Sequence, residues 1–358
     1  MKITSFISIC ILLCSLSAQA QTEVSKFIPG VTPEGVTYCL PKTALRVTVI
    51  ASRITHTPGD FKDFAERYLK LNNVVQAPET QWKIDKIYLS PYGVPDTSKF
   101  FSIPLKKKTV APLVGLTKNG IITAINTEGQ EDPLPDVPEI NKIEKSTLKP
   151  RDYMTQEILY AGSKSKMAEL TANEIYDIRD SRNELSKGQA DNMPKDGEQL
   201  KLMISQLNTQ EEALLQLFKG TTEQETKTYT LYFVPQGEAV KQILFRFSDE
   251  LGLVESDNLA GAPVYVDITD KKTLPAPVEN PKPKKTDEQA VRYTVPSDAY
   301  VKIYDREGTL AELTTPMGQF GRTEILSNEL FNKRTSTHVT FYSTTGGLKK
   351  IMDATGGQ

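Results

Sequence analysis

Two short serine–lysine patterns have the spacing of a nucleophilic serine enzyme. Residues 163–166 read Ser-Lys-Ser-Lys and satisfy S-x-x-K, in which a serine at a helix start is the nucleophile and the lysine lies one turn later. Residues 256–258 add an S-D-N element, but K-T-G and K-S-G are missing, and residues 146–149 repeat S-x-x-K by chance. We therefore interpret Ser163 as a helix start and Asp257-Asn258 as a turn.

Histidine and cysteine chemistry has few side chains available. The chain has two histidines, His56 and His338, and three cysteines. These cannot build a His-rich or a four-cysteine zinc site, and we interpret both histidines as solvated or strand-edge residues. No nucleotide-binding signature is present, so we expect no cofactor and no metal. Paired-carboxylate chemistry stays open, because the sequence does not give the distances between its 45 acidic residues.

Charged residues fall on the apolar stripes of two predicted helices. Arg182 follows Ile175 and Ile178 at helical spacing, Arg179 lies beside it, and Glu211 interrupts a leucine stripe further along the chain. Charges that point inward are costly unless they are paired. The structural interpretation is an Arg–carboxylate network that fixes the packing of the helices. The functional alternative is an anion-binding or partner-binding notch built on Arg179 and Arg182.

Aromatic residues on predicted strands allow two interpretations. A carbohydrate platform could use them, but tyrosine and tryptophan also fill strand faces by default. We favour cross-strand or core packing for most of the following five: Trp82, Tyr88, Tyr92, Tyr229 and Tyr232.

The composition narrows the class of protein. The 358 residues carry a formal net charge of −2, whereas a general nucleic-acid binder needs a basic face. Apolar residues make up 38% and charged residues 25%, which is ordinary for a folded chain. We therefore expect a globular protein with no nucleic-acid partner.

The first twenty residues have the layout of a secretory signal peptide. Met1 and Lys2 precede an apolar stretch at 6–16 and the small-x-small site Ala18-Gln19-Ala20. Cleavage after Ala20 would leave one cysteine, Cys39, and no membrane-spanning segment, since a span needs about 20 apolar residues. Leu13 is too large for a lipid-attachment site at Cys14. We therefore expect ordinary cleavage and a location in the periplasm or at the outer membrane.

Proline-rich breaks divide the chain into blocks. Period-two patterns predict strands before and after a helical region, and a change of parity after Ile84 predicts a bulge or a kink at Asp85-Lys86. The predicted order is a signal peptide (1–20), an N-terminal β-rich domain with a short helix (21–126), a Pro-rich linker or loop (127–150), a helical hairpin (151–220), a β-rich segment that could pack with the hairpin (221–272), a Pro/Lys-rich spacer (273–288) and a C-terminal β-rich module (289–358).

Capping residues give the helical hairpin its limits. A proline-free stretch from Ser163 to Lys187 is followed by Gly188, a typical residue after a helix end. Asp196, with a glutamine three residues later, resembles a capping box, and Gly220 ends the second apolar stripe. Two helices joined by a short loop are expected to pack antiparallel.

Four segments resemble an uncharacterised Bacteroidetes family of exported proteins, known as a domain of unknown function. They are residues 33–43 (PEGVTYCLPKT), 65–69 (AERYL), 174–182 (EIYDIRDSR) and 197–203 (GEQLKLM). The likeness extends over about residues 31–350. It implies a Gram-negative cell envelope and carries over no catalytic residue.

The sequence thus predicts an α+β, mainly β protein with β-rich modules flanking an antiparallel helical hairpin. We expect an exported cell-envelope protein that acts as a non-enzymatic binding or assembly module, with an envelope protein or a glycan as partner. The alternative is a carboxylate-based hydrolase of glycans or peptides. No catalytic residue is assigned, and the candidate binding residues are Arg179 and Arg182.

Overall fold

The computed structural model describes residues 25–26, 35–104, 113–137, 140, 142–144, 146–194, 196–276, 290–326 and 337–353. The predicted signal peptide, and most of the predicted spacer at 273–288, lie outside these ranges. Within them the fold is β-rich, with several antiparallel sheets and few helices, as the alternating patterns predict. None of the described helices has the length and hydropathy needed to cross a membrane.

The strands differ greatly in length, and the two longest follow one another in the first third of the chain. The strands described are β1 (Ser25–Lys26), β2 (Gly35–Thr57), β3 (Glu79–Pro104), β4 (Val114–Leu116), β5 (Ile122–Ile125), β6 (Lys142–Glu144), β7 (Thr221–Phe233), β8 (Ala239–Ser248), β9 (Gly252–Val254), β10 (Ala262–Asp270), β11 (Val291–Tyr304), β12 (Thr309–Leu326), β13 (Thr337–Phe341) and β14 (Leu348–Asp353).

The helices lie mainly between β6 and β7. They are α1 (Ala65–Leu69), α2 (Gln156–Leu159), α3 (Lys164–Lys187) and α4 (Gly197–Lys219), with short 3-10 turns at Lys62–Phe64 and Pro150–Tyr153. The Ser163 hydroxyl caps α3 by accepting from the Lys166 amide, and Gly188 ends it in the left-handed region. Asp196 caps α4 through the Glu198 amide. The predicted helix starts and ends are therefore confirmed.

Three antiparallel sheets organise the strands. Sheet I has the order β1-β3-β2-β7-β6, sheet II the order β12-β11-β10-β8-β9, and sheet III the order β14-β13-β5-β4. β2 and β3 form one long hairpin. On the other side of β2, the whole of β7 pairs with residues 45–57. The blocks predicted at 21–126 and 221–272 thus contribute neighbouring strands to one sheet, and the block at 289–358 is divided between sheets II and III.

A bulge in β3 corrects the register of the long hairpin. Ile50 pairs with Lys86 and Ala51 with Ile84, so Asp85 is the extra residue. The bulge predicted from the parity change is confirmed. The Asp85 carboxylate accepts a hydrogen bond from the buried Ser52 hydroxyl, which gives the extra residue a partner inside the ladder.

Sheets I and II pack face to face around the largest core. Alternate residues of β2 (Leu45, Val47 and Val49) point into it and meet side chains of sheet II. A second core lies between the open end of the β2–β3 hairpin, sheet III, the start of β11 and the end of β12. A third joins α1, α3 and α4. Together, these three cores lie along the length of the β2–β3 hairpin.

Thr43 connects three parts of the sandwich. Its amide donates to Gln319 Oε1 at 2.9 Å, and its hydroxyl donates to the Thr344 carbonyl at 2.9 Å and accepts from the Gly318 amide at 3.0 Å. The side chain is fully buried. Because each hydrogen-bonding atom has a partner, Thr43 can join β2, β12 and the turn before β14 inside the protein.

The Pro-rich segment after β5 runs across the outer face of sheet I. We call its described residues (131–137, 140, 142–144 and 146) the strap. Asp132 accepts from the Thr344 amide at 3.1 Å, Ile140 exchanges hydrogen bonds with the Thr228 hydroxyl, and β6 pairs with the first half of β7. The strap thus contributes a short strand to the edge of sheet I.

Candidate binding site

The two arginines singled out in the sequence converge on one carboxylate. Arg179 Nε donates to Glu211 Oε1 at 2.6 Å, and Arg182 Nη1 donates to Glu211 Oε2 at 2.5 Å and to Asn208 Oδ1 at 2.8 Å. Because contacts later in α3 reach earlier residues of α4, the two helices run antiparallel where they meet. The structure therefore brings Arg179, Arg182 and Glu211 together, as the predicted network requires.

The two arginines hold the Glu211 carboxyl in its ionised form. Glu211 is 8% exposed. Burial alone would raise the pKa of its carboxyl, but hydrogen bonds and charge from Arg179 and Arg182 lower it below its usual value. Arg179 also lies over the Tyr176 ring, 5.6 Å from its centroid. The geometry accounts for both arginines as packing partners of the helices, and binding of an external anion there stays a prediction.

Three cavities meet where α4 passes into β7. Their volumes are about 500, 610 and 630 Å³, and Gly220 lines all three. The first is lined mainly by polar side chains, namely Ser146, Asn208, Glu211, Glu212, Gln216, Lys219, Thr221 and Thr222. These groups can hydrogen-bond a polar ligand, although Glu211 is already satisfied by the arginines.

A glycine, Gly220, connects α4 to β7, and we call this connection the joint. Gly220 has φ +82° and ψ −175°, a region that is essentially restricted to glycine. A Cβ atom there would lie 2.4 Å from the Thr57 carbonyl oxygen. The close approach lets neighbouring loops use the last carbonyls of α4: the Phe61 amide donates to Leu217 at 2.6 Å and the Val75 amide to Lys219 at 3.0 Å. Main-chain hydrogen bonds therefore hold the backbone that lines the cavities around Gly220.

The remaining candidates from the sequence do not gather at one site. Ser163 is a helix cap, as interpreted. His56 lines the third cavity and hydrogen-bonds the Thr222 hydroxyl at 2.9 Å, whereas His338 lies in β13 opposite Met352. Cys39 is buried in β2, and burial, followed by the charge of Asp96, raises the pKa of its thiol to about 11. Within the described ranges, no three His, Cys, Asp or Glu side chains gather as metal ligands would.

The five aromatic residues considered as a platform lie on opposite faces of sheet I. Trp82 is 6% exposed on the inner face, with the Tyr229 ring edge-on at 6.5 Å. Strand register places Tyr88, Tyr92 and Tyr232 on the outer face. The Tyr92 and Tyr232 rings are 5.9 Å apart at 78°, so they do not form a flat platform.

Arg46 lies at the centre of the outer tyrosines. It is directly opposite Tyr232 on β7 and Ser90 on β3, and it donates to the Pro135 carbonyl of the strap. Tyr232 nevertheless keeps 68% of its surface exposed. We call Arg46, Tyr88, Tyr92 and Tyr232 the tyrosine face. It combines a guanidinium with one exposed ring and two half-buried rings, a composition enriched at protein interfaces.

The tyrosine face ends at an unpaired strand edge. β7 pairs with β2 through residues 221–233, but β6 covers only Gln224, Glu225 and Thr226 on the other side. In the part of the chain that the structure describes, no strand pairs with the outer edge of residues 229–233. Sequence patterns could not reveal this edge, because strand order decides which strand lies outermost.

Comparison with known proteins gives a family and no function. The family described as a domain of unknown function, DUF4831, matches residues 34–349. The chain belongs to the DUF4831 family. No curated protein and no solved structure matches it.

The DUF4831 match extends from the start of β2 into β14. It therefore includes the Arg179–Arg182–Glu211 network, the joint at Gly220, the tyrosine face and the free edge of β7. Each of these features lies within the matched residues. The resemblance noted in the sequence is confirmed as membership of a domain of unknown function.

Proposed function

We propose that this DUF4831 protein is an exported, non-enzymatic binding or assembly module that receives a strand of a partner protein on the outer edge of β7. The observation that carries the proposal is the edge of residues 229–233, with which no described strand pairs. Unpaired strand edges present rows of amide and carbonyl groups and are a common site for strand addition. Main-chain hydrogen bonds would supply affinity, and neighbouring side chains would supply specificity.

β12 and most of β8 lie at the edges of sheet II among the described strands, and both carry features with which proteins protect such edges. β8 has two register shifts against β10, and Lys241 at one of them has φ +53°. β12 contains Pro316 and the charged Glu312, and Gln319 holds its middle part on β2. Residues 228–233 (TYTLYF) contain no charge and no proline. Their pairing with β2 has no register shift. This contrast favours β7 as an edge that is covered by a partner.

The tyrosine face gives the same edge a specific surface. Tyrosine and arginine dominate the residues that contribute most binding energy at protein interfaces. Arg46 is anchored by the strap, and the Lys86 ammonium lies 4.6 Å from the Tyr88 ring centroid. A strand added to β7 would place the side chains of its outer face beside Tyr232. Contacts with the tyrosine face would then determine which partner binds.

Export to the envelope rests on the first residues and on the resemblance. A short basic start, an apolar stretch and Ala18-Gln19-Ala20 are typical of a cleaved signal peptide. After cleavage Cys39 would be the only cysteine, so the fold would depend on its cores and not on an internal disulfide. The Bacteroidetes likeness adds a Gram-negative periplasm or outer membrane as the setting.

A carboxylate-based hydrolase is less well supported than strand addition. Its acid would need a raised pKa at the cavity. Glu211, which lines the cavity, has a lowered pKa because two arginines hold it ionised. The pKa of Glu174 is raised by burial and by Asp177, but Glu174 is not among the side chains that line the three cavities.

Capture from envelope extract with an edge variant tests the proposal. Thr230→Lys adds a charge at an exposed position on the free edge, and Thr309→Lys adds the same charge at an exposed position on β12. We expect the wild type and Thr309→Lys to retain a defined protein that Thr230→Lys loses, with unchanged circular dichroism. Equal recovery with all three proteins would refute strand addition at β7, and recovery of a glycan would support the sugar-binding alternative.

A further inference from the structure

The free edge of β7 is limited by the strap at one end and by the end of the strand at the other. On one side, the strap reaches β7 at Thr228, whose hydroxyl accepts from the Ile140 amide at 3.0 Å. On the other side, β7 ends at Phe233 and the chain turns through residues 234–238 into β8. Among the described residues, the edge without a strand partner is therefore five residues long, from Tyr229 to Phe233, and Leu231 lies at its centre.

An edge of this kind can pair with itself. In an antiparallel arrangement about a two-fold axis at Leu231, Tyr229 of one copy faces Phe233 of the other, and Thr230 faces Tyr232. The strap of each copy would then lie beyond the point where the other copy has turned away. This register uses the whole free edge and requires no part of the strap to leave β7.

The side chains also suit a second copy. Like charges that face each other across a strand pair destabilise it, and residues 228–233 carry none. Apolar side chains lie at this open side of the sandwich: Tyr229, Leu231 and Phe233 pack on the core but are only partly buried. The side-chain period of two keeps these three on the inner face in both copies. A second strand would therefore cover apolar surface that one chain leaves in water.

We propose that two copies of this chain pair antiparallel through residues 229–233 of β7, so that the two sheets I form one continuous sheet. The inference rests on the proposed function only in using the same edge, and it names the partner. Isologous two-fold contacts are the commonest way in which identical chains assemble. Exposed Tyr232 would become an interface residue on each side of the axis.

Sedimentation and cross-linking test the pairing. With increasing concentration, the average mass of the wild type and of Thr309→Lys should rise towards twice the monomer value, while Thr230→Lys should remain monomeric. In a mixture of Thr230→Cys and Tyr232→Cys proteins, oxidation should give a disulfide-linked dimer, because these positions face each other in the proposed register. The buried Cys39 should not contribute.

Two results would overturn the pairing. One is a wild type that stays monomeric at all concentrations, and the other is a Thr230→Lys variant that dimerises as the wild type does. A monomeric wild type that still captures a different protein through Thr230 would overturn the second copy as partner and leave strand addition intact. Failure of both experiments would refute the proposed function as well.

Discussion

Arg179 Nε lies 2.6 Å from Glu211 Oε1, and this contact joins the two long helices across their interface. Arg182 reaches the other oxygen of the same carboxylate. One buried acid therefore organises two arginines, each about one-third exposed. The arrangement explains why charges fall on otherwise apolar helix stripes, because the carboxylate and the two guanidinium groups neutralise and hydrogen-bond one another.

Removing one arginine should loosen the helical hairpin. Arg182→Met keeps the aliphatic stem but deletes the donors to Glu211 and Asn208, and we expect a loss of about 1–3 kcal/mol in the free energy of unfolding. Denaturant titration measures it. Lys201→Met, which removes a pair between largely exposed partners on α4, should have no measurable effect. An unchanged midpoint for Arg182→Met would contradict the structural role and favour the anion-binding notch.

Acid should weaken the same contact. The pKa of Glu211 is lower in the folded protein than its ordinary value of 4.5, so its ionised form is stabilised by folding. That contribution is complete above pH 4.5 and is lost as the pH falls through the folded pKa. We expect the stability gap between wild type and Glu211→Gln to narrow below pH 4.5. Denaturation curves at several pH values measure the gap, with Glu198→Gln as control. A gap that is constant with pH would show that the network does not depend on the Glu211 charge.

Two glycines that end helices should differ in their tolerance of alanine. Gly188 after α3 has φ +69° and open space where a Cβ atom would lie, so Gly188→Ala should cost only the left-handed penalty of about 1–2 kcal/mol. Gly220→Ala would also force Cβ against the Thr57 carbonyl, which should add about 1–3 kcal/mol. Thermal or denaturant unfolding of both variants measures the difference. Equal costs would mean that the joint relaxes without strain.

Local features of the fold could be predicted from the sequence, because local physics determines them. Ser163, Gly188 and Asp196 mark helix ends through hydrogen bonds and backbone conformations that involve only their neighbours. The parity change at Asp85 is likewise visible within a few residues. In contrast, β2 pairs with β7 from about 170 residues further along the chain, and no pattern in either strand records the choice of partner.

The candidate site shows the same division. Arg179, Arg182 and Glu211 could be identified because charge on an apolar stripe is a local anomaly. The open edge of β7 could not, since Tyr229 and Leu231 have the ordinary alternation of any half-buried strand. Only the order of strands in sheet I shows that no described strand pairs with one side of these residues, and that order depends on contacts between distant parts of the chain.

The hydrogen bonds of Thr43 also limit when folding can be completed during synthesis of the chain. Its hydroxyl donates to a residue 301 positions later in the chain. A nascent chain can form the β2–β3 hairpin early, but the buried Thr43 hydroxyl lacks its acceptor until Thr344 has been made. Closure of such long loops is slow. The segment from β13 onwards therefore controls the moment at which the first long strand becomes native, and a chain truncated before β13 would lose Val339 and Phe341 from the second core.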